Sequence, residues 1–157
     1  MVCDPETGPA WVRRAAVILD SFRRHIGRDL VERSDDPAED ARRLFDLPQA
    51  VLAHDTSPAP LLDWANLAAA RAFDATPETL LGRPSADTAP ADATADRLAL
   101  FDVLAHQGFV TGYSGVRVSL TGRRFIIDDV TVFALVDDAG RPAGHAAVIG
   151  STRPVGR

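Results

Sequence analysis

Cysteine is almost missing from this chain of 157 residues: Cys3 is the only one. An internal disulfide is thereby excluded, as is a metal site built from several thiolates, and a reducing compartment is expected. Lysine is missing altogether, so the 17 basic residues are all arginines. Their pairs at 13–14, 23–24, 42–43 and 123–124 are scattered through a chain of net charge -5. A duplex-binding surface needs a clustered positive footprint, so nucleic acid is not an expected partner. No apolar run approaches the ~20 residues that cross a bilayer. Met1–Pro9 carries acids and prolines where a secretory signal carries a basic and then an apolar region. Neither a membrane nor export is therefore expected, and the chain reads as cytoplasmic. With 46% hydrophobic residues it has enough apolar side chains for the core of one globular domain.

From Pro9 to about Val31, Trp11, Ala15, Ile18, Phe22, Ile26 and Leu30 recur at steps of three and four, which is one face of an amphipathic helix. Gly27 weakens that helix by roughly 1 kcal/mol relative to alanine and marks where it can break. The stripe of Trp11, Ile18, Phe22 and Ile26 is a candidate dimer-forming or signal-transmitting surface; it fits equally a helix that covers an exposed face of its own domain. Asp36-Pro37 with Glu39 opens a second, short helix to about Asp46, which Pro48 stops. Gln49–His54 and Leu61–Trp64 have strand length and are expected to pair across the Asp55–Pro58 break. Asn66 occupies the N-cap position of a short helix Leu67–Phe73. Thr76-Pro77-Glu78 starts a further turn that Gly82 ends, and 84–90 reads as a loop. Asp92–Gln107 is expected to be an amphipathic helix burying Leu98, Phe101 or Leu100, Leu104 and Ala105, with Gly108 as its stop. Beyond it the period changes to two: Phe109–Leu120, Phe125–Val136 and Ala143–Ile149 are three strands joined by turns at Thr121-Gly122 and Asp137–Gly140. The division expected is a disordered 1–9, a helical extension 10–48, a core 49–150 and a loose tail 151–157.

Three consecutive hairpin-joined strands form an antiparallel meander, and the early pair must join it along an edge, because a domain of this size has one core to share. The expected fold is α+β: a five-stranded antiparallel sheet with helices on one face, preceded by the N-terminal amphipathic helix. That is the layout of PAS domains. Leu61–Phe73 resembles the PAS segment from the second strand into the first helix, and Thr76–Pro84 resembles the turn that follows. More narrowly, the run Gly112-Tyr113-Ser114-Gly115-Val116-Arg117, within Gly108–Phe125, resembles the MEKHLA family. This PAS-related module stands alone in bacteria and also ends plant homeodomain–leucine-zipper transcription factors. With Ala41–Phe45 and Val51–Thr56, the resemblance extends over roughly residues 12–150. It departs from the usual family wording at Ser85–Pro90, and Phe133 stands where tryptophan is common. The resemblance implies a sensory or regulatory module acting through a small ligand or through contact with a protein in trans, including a second copy of itself.

Flavin–cysteine photochemistry needs a cysteine in the helical region and is excluded, since Cys3 is the only one. His106 is the sole candidate axial ligand for haem and reads instead as a dipole-stabilising residue at a helix C-terminus, so no cofactor is expected. His54, Asp55 and His145 would make a base or a metal site only if the fold brought them together; the plainer reading is a solvated turn and a satisfied histidine. Asp128 and Asp129 are neighbours on a strand and point to opposite faces, so they cannot form an acid pair; one is expected to meet Arg117 or Arg124 across the sheet. Tyr113 and Arg117 share a face, as do Phe125, Ile127, Thr131 and Phe133. With Trp64, Asn66 and Phe73 from the helical side, Tyr113, Arg117 and Phe133 are the candidate lining of a pocket able to orient an anionic ligand, although the apolar members read as well as filled core. The rival class is a cone-shaped NTF2-like enzyme using Tyr113 with Asp129 or Asp63, which would lack the 49–64 strand pair. A third reading is a purely structural dimerisation protein.

Overall fold

In the computed structural model, which describes residues 8–155, the first helix ends where its glycine predicts. Helix α1 runs Pro9–Ile26, and Gly27 closes it in the left-handed region at φ 86°. Helix α2 spans Pro37–Phe45, with the Asp36 carboxylate accepting from the Ala38 N–H. Strands β1 (Ala50–His54) and β2 (Leu62–Ala65) pair antiparallel as expected. Helices α3 (Leu67–Ala72), α4 (Pro77–Leu80) and α5 (Thr94–Gln107) follow, with short 3-10 turns at Ser85–Thr88 and Ala91–Ala93 in and after the stretch read as loop. Strands β3 (Phe109–Val118), β4 (Arg124–Val136) and β5 (Pro142–Pro154) complete a sheet of order β2-β1-β5-β4-β3. The early pair joins the meander through β1 and β5, from Ala50 opposite Ile149 to His54 opposite His145.

One boundary and one helix face differ from expectation. The chain is strand, not loose tail, as far as Pro154, because β4 still has backbone to pair there: Ile126 faces Arg153, and Asp128 holds the Arg153 guanidinium. On α5, Leu98 is 65% exposed and Ala105 is exposed, whereas Leu100 and Leu104 are buried. The face turned to the sheet is Arg97, Leu100, Phe101 and Leu104, and counting apolar residues alone passes over the arginine. The disorder expected of 1–9 concerns residues outside the described ones up to residue 7, as does Cys3; Pro9 is already helical.

Both faces of the sheet are covered. On one, α3, α4 and α5 pack Phe73, Leu80, Leu100 and Leu104 against Leu52, Phe125, Ile127, Val130, Val132 and Ile149. On the other, α1 and α2 pack against Val51, Trp64, Phe133, Leu135 and Val148. This second face consumes the α1 stripe: Trp11, Ile18 and Phe22 are buried to 1%, 0% and 1% exposure, and Ile26 packs against the same cluster. These four residues therefore do not present an open surface to a second copy. An apolar sheet face left in water would be costly, and α1 is the element that covers it.

One irregularity decides which residues each layer receives. Asp129, in the middle of β4, has φ 52° and sits in a bulge, where β4 carries one more residue than β3. A one-residue insertion exchanges the two faces for everything beyond it. Phe125 and Ile127 thus share the α5 side with Val130 and Val132, while Phe133 and Leu135 turn to α1. Gly150 accommodates the kink, since a Cβ there would lie 2.7 Å from the Asp129 carbonyl oxygen.

Candidate functional site

A cavity of about 80 Å³ lies between α5 and the sheet. The Gly112–Arg117 run builds its polar end. Gly112, at φ 68°, accommodates an irregularity in β3, and the Ser114 hydroxyl donates to Asp128 at 2.6 Å. Tyr113 and Arg117 then rise on one face with Gly115 between them. A Cβ at Gly115 would lie 2.7 Å from the tyrosine oxygen and 3.1 Å from Arg117 Nη1, so only glycine lets the two side chains close over the strand. The Arg117 guanidinium stands 5.6 Å from the centre of the Tyr113 ring, its Nη2 is 3.4 Å from the hydroxyl, and its Nη1 donates to the Val116 carbonyl at 2.8 Å. The tyrosine hydroxyl donates to Asp96 at 2.8 Å and so ties β3 to α5. Burial, with Asp96 adding to it, pushes the Tyr113 phenol up.

Helix α5 adds Arg97, whose guanidinium lies 5.3 Å from the Phe101 ring centre. Burial first, and then the charge of Arg117, lowers its pKa. Neither arginine makes an ion pair among the described residues.

The third polar corner is a histidine pair. Buried His54 places Nδ1 2.9 Å from the Ser85 hydroxyl and Nε2 3.1 Å from His145 Nδ1, with Phe101 packed on both rings. Burial, then His145 and Arg97, pushes the His54 pKa down to about 4, Arg14 adding and Asp55 opposing; burial also lowers that of His145. Both rings are neutral at pH 7, and one N–H donates across the pair. The unfolded chain takes up a proton at His54 below about pH 6.5, whereas the folded chain refuses it until about pH 4. Stability is therefore expected to fall as pH drops from 6.5 towards 4, by about 1–3 kcal/mol. Urea melts at pH 7.5 and 5 check this: His54→Gln should show the smaller loss, and equal losses in variant and wild type would contradict the assignment.

Outside this wall runs an open groove of about 750 Å³, bordered by the Asp55–Pro60 loop, the Ala86–Ala91 segment and Leu98. His54, Arg97, Phe101 and His145 line both spaces, so they form the partition between cavity and groove.

Of the sequence candidates, Phe73, Tyr113 and Arg117 meet at the cavity. Phe133 does not, because the Asp129 bulge turns it to the Phe22 ring at 5.4 Å. Trp64 also points away: an extra residue, Asp63, puts Leu62 and Trp64 on opposite faces, and Trp64 stacks on Trp11 at 5.6 Å. Asn66 is fully buried at a junction instead. Its Oδ1 accepts from Val51 and Ala69 N–H groups, and its Nδ2 lies within bonding range of the carbonyls of Leu44, Leu47 and Gln49. Asp128 pairs with Arg153 and with neither Arg117 nor Arg124. Asp63 pairs with Arg14 at 2.9 Å and Asp129 is exposed, so Tyr113 bonds neither of the acids that an enzyme reading gave it. His106 is exposed and bonded to the Asp102 carbonyl. The expectation of a solvated turn at His54 fails, since Ser85, Phe101 and His145 pack around the ring and leave it 7% exposed. Ser85 lies in the Ser85–Pro90 stretch that departs from the family wording, whereas Arg97 and Phe101 were not singled out as site residues; the spacing of Arg97 from Leu100, Phe101 and Leu104 was the signal that could have found it.

The MEKHLA domain profile matches residues 12–153. No curated protein matches. Among solved structures, the PAS domain of a protein from Colwellia psychrerythraea is 15% identical, with 76% of this chain and 98% of that one covered at a TM-score of 0.62. An RNA-binding light-oxygen-voltage receptor is 20% identical over 76% of this chain, at a TM-score of 0.62; the match spans 34% of that receptor. The PAS domain of a LuxR-family transcriptional regulator from Burkholderia thailandensis, in complex with ethanol, is 19% identical, with 66% and 89% covered and a TM-score of 0.52. At these identities the likeness shows the fold alone.

Proposed function

The chain belongs to the MEKHLA domain family, and from that premise we propose that it is a sensory module that binds a small molecule in the cavity beneath α5 and reports the bound state to another protein. The observation that carries this reading is the cavity itself: it lies within a packed layer, and Tyr113 and Arg117 of β3, His54 of β1 and Ser85 of the 3-10 turn line it. A few converging polar groups in an apolar wall are the usual make-up of a small-ligand site. The reading is of a binding module rather than an enzyme: Tyr113 is engaged with Asp96, and the Ser85 hydroxyl beside His54 is buried, with His145 rather than a carboxylate on the far nitrogen of that ring. Output is assigned to contact in trans, in the cytoplasm. A homodimer would need a surface other than the α1 stripe, which is internal. No helix among the described residues is long and apolar enough to cross a membrane.

Native mass spectrometry of the purified chain, followed by thermal shifts across a metabolite library, tests the reading. A co-purifying small molecule, or a melting point raised by about 3 °C or more by one compound class, is the expected result. A chain of bare mass that no compound stabilises would sink it.

A further inference from the structure

Resting on that cavity-binding reading, we infer that the ligand is a short-chain monocarboxylic acid whose carboxylate bridges Arg97 of α5 and Arg117 of β3, with its apolar body lying against the sheet. Arg117 is 9% exposed and Arg97 is half-buried. They line one cavity, burial and then the charge of Arg117 lower the pKa of Arg97, and neither has a carboxylate partner among the described residues. Buried cations are ordinarily paired, because desolvating an unpaired one is costly. Arg97 makes no hydrogen bond among the described residues beyond its contact with the Phe101 face, and Arg117 uses only part of its fork on the Val116 carbonyl and the Tyr113 hydroxyl. Uncommitted guanidinium donors that line one space fit a carboxylate bidentately.

The rest of the wall defines the other end of the ligand. Leu52, Leu100, Ile127, Val130, Val132 and Ile149 make the rest of the wall apolar, and a bare anion such as phosphate or sulfate would leave that wall uncovered. One charged end and an apolar body are required. The volume, about 80 Å³, is roughly half that of a ~150 Å³ cavity that takes benzene, which sets the whole acid at about two to five carbons. His54 and His145, being neutral, do not compete for the carboxylate. Phe101, shared between cavity and groove, lies on the entry route. Because the two arginines belong to different layers, a bridging carboxylate replaces their repulsion with attraction and fastens α5 to the sheet.

The test is calorimetric titration and thermal melting of the full chain with acetate, propionate, butyrate and valerate, against the matching primary amides and against phosphate and sulfate. Arg97→Gln and Arg117→Gln are compared with wild type, with circular dichroism as the check on folding. One or more of the acids should bind and raise the melting point, the amides should not, and Arg97→Gln should weaken binding by about tenfold or more. The ligand-free Arg97→Gln protein should melt no lower than wild type, because the substitution relieves the repulsion. Arg97 lies on a helix face at the cavity rim, so this variant keeps the test open even where Arg117→Gln fails to fold. Equal binding of acids and amides, or of phosphate and the acids, would overturn the carboxylate inference. If the library of the preceding section finds an uncharged ligand that Leu100→Trp blocks, the cavity reading stands and the carboxylate inference alone falls. If nothing binds, both fall.

Discussion

Gly144→Ala is expected to unfold much of the domain, lowering the melting temperature by on the order of 10 °C or more. Gly144 has φ 108°, a conformation that L side chains rarely adopt, and an added Cβ would lie 1.9 Å from the His54 carbonyl oxygen. That oxygen belongs to backbone and is also held by Arg14 Nη2 at 3.0 Å, so no rotamer change relieves the clash. Backbone strain of about 1–3 kcal/mol adds to a shift of packed backbone costing as much or more, which together reach roughly 4–5 kcal/mol. The damage falls where β1 meets β5, at the His54–His145 pairing, so the partition of the cavity should go with it. Gly140 is the control: it too has a positive φ, 79°, but nothing lies within 4 Å of its Cβ position. Gly140→Ala should cost only about 1 kcal/mol. Melts of the two variants followed by circular dichroism give the answer, and similar losses in both would refute the steric account.

Trp11→Ala should cost about 3–5 kcal/mol, also a drop of about 10 °C. The ring is stacked on Trp64 at 5.6 Å and meets Phe45 edge-on at 5.7 Å, in the layer between α1 and the sheet. Trp11→Phe should come close to wild type, because it keeps most of the apolar contact and removes an indole N–H that is buried without a partner. The same experiment separates two uses of the stripe. Packed within one chain, it gives a melting temperature independent of protein concentration. Were it an interface between copies, the wild-type melt would rise with concentration and Trp11→Ala would abolish that rise.

Local chemistry made much of this fold legible. Gly27 and Gly108 end helices in the left-handed region, Asp36 and Asn66 cap helices, and the change of period after Gly108 marks the meander. The Gly112–Arg117 run was legible as a recurring block, and its reason is now physical: one glycine for an irregularity, one for the space in which Tyr113 and Arg117 meet. What stayed hidden were the phase changes. Asp63 and Asp129 each add a residue to a strand, and neither is a glycine that would announce it, so alternation counted along β4 sent Phe133 to the wrong layer, and Trp64 turns away from the cavity it was expected to line. Arg97 stayed hidden for a different cause. A buried-facing arginine on a helix is invisible to a method that finds inner faces by hydrophobicity, although it is the residue that gives the cavity its charge. The His54–His145 contact depends on β1 pairing with β5, a separation of 91 residues that no local pattern encodes.

A sheet clad on both sides can meet another backbone only at its rims, and the two rims here differ. At β2 the rim is closed by the chain's own return: Leu62 donates to the Arg83 carbonyl and accepts from the Gly82 N–H, and Leu61 bridges to Pro84. At β3 no strand lies beyond among the described residues. The open rim of the sheet is therefore the one strand that also carries Tyr113 and Arg117. A strand laid alongside it by any other polypeptide would run directly behind the polar end of the cavity, separated from what the cavity holds by the thickness of a single chain.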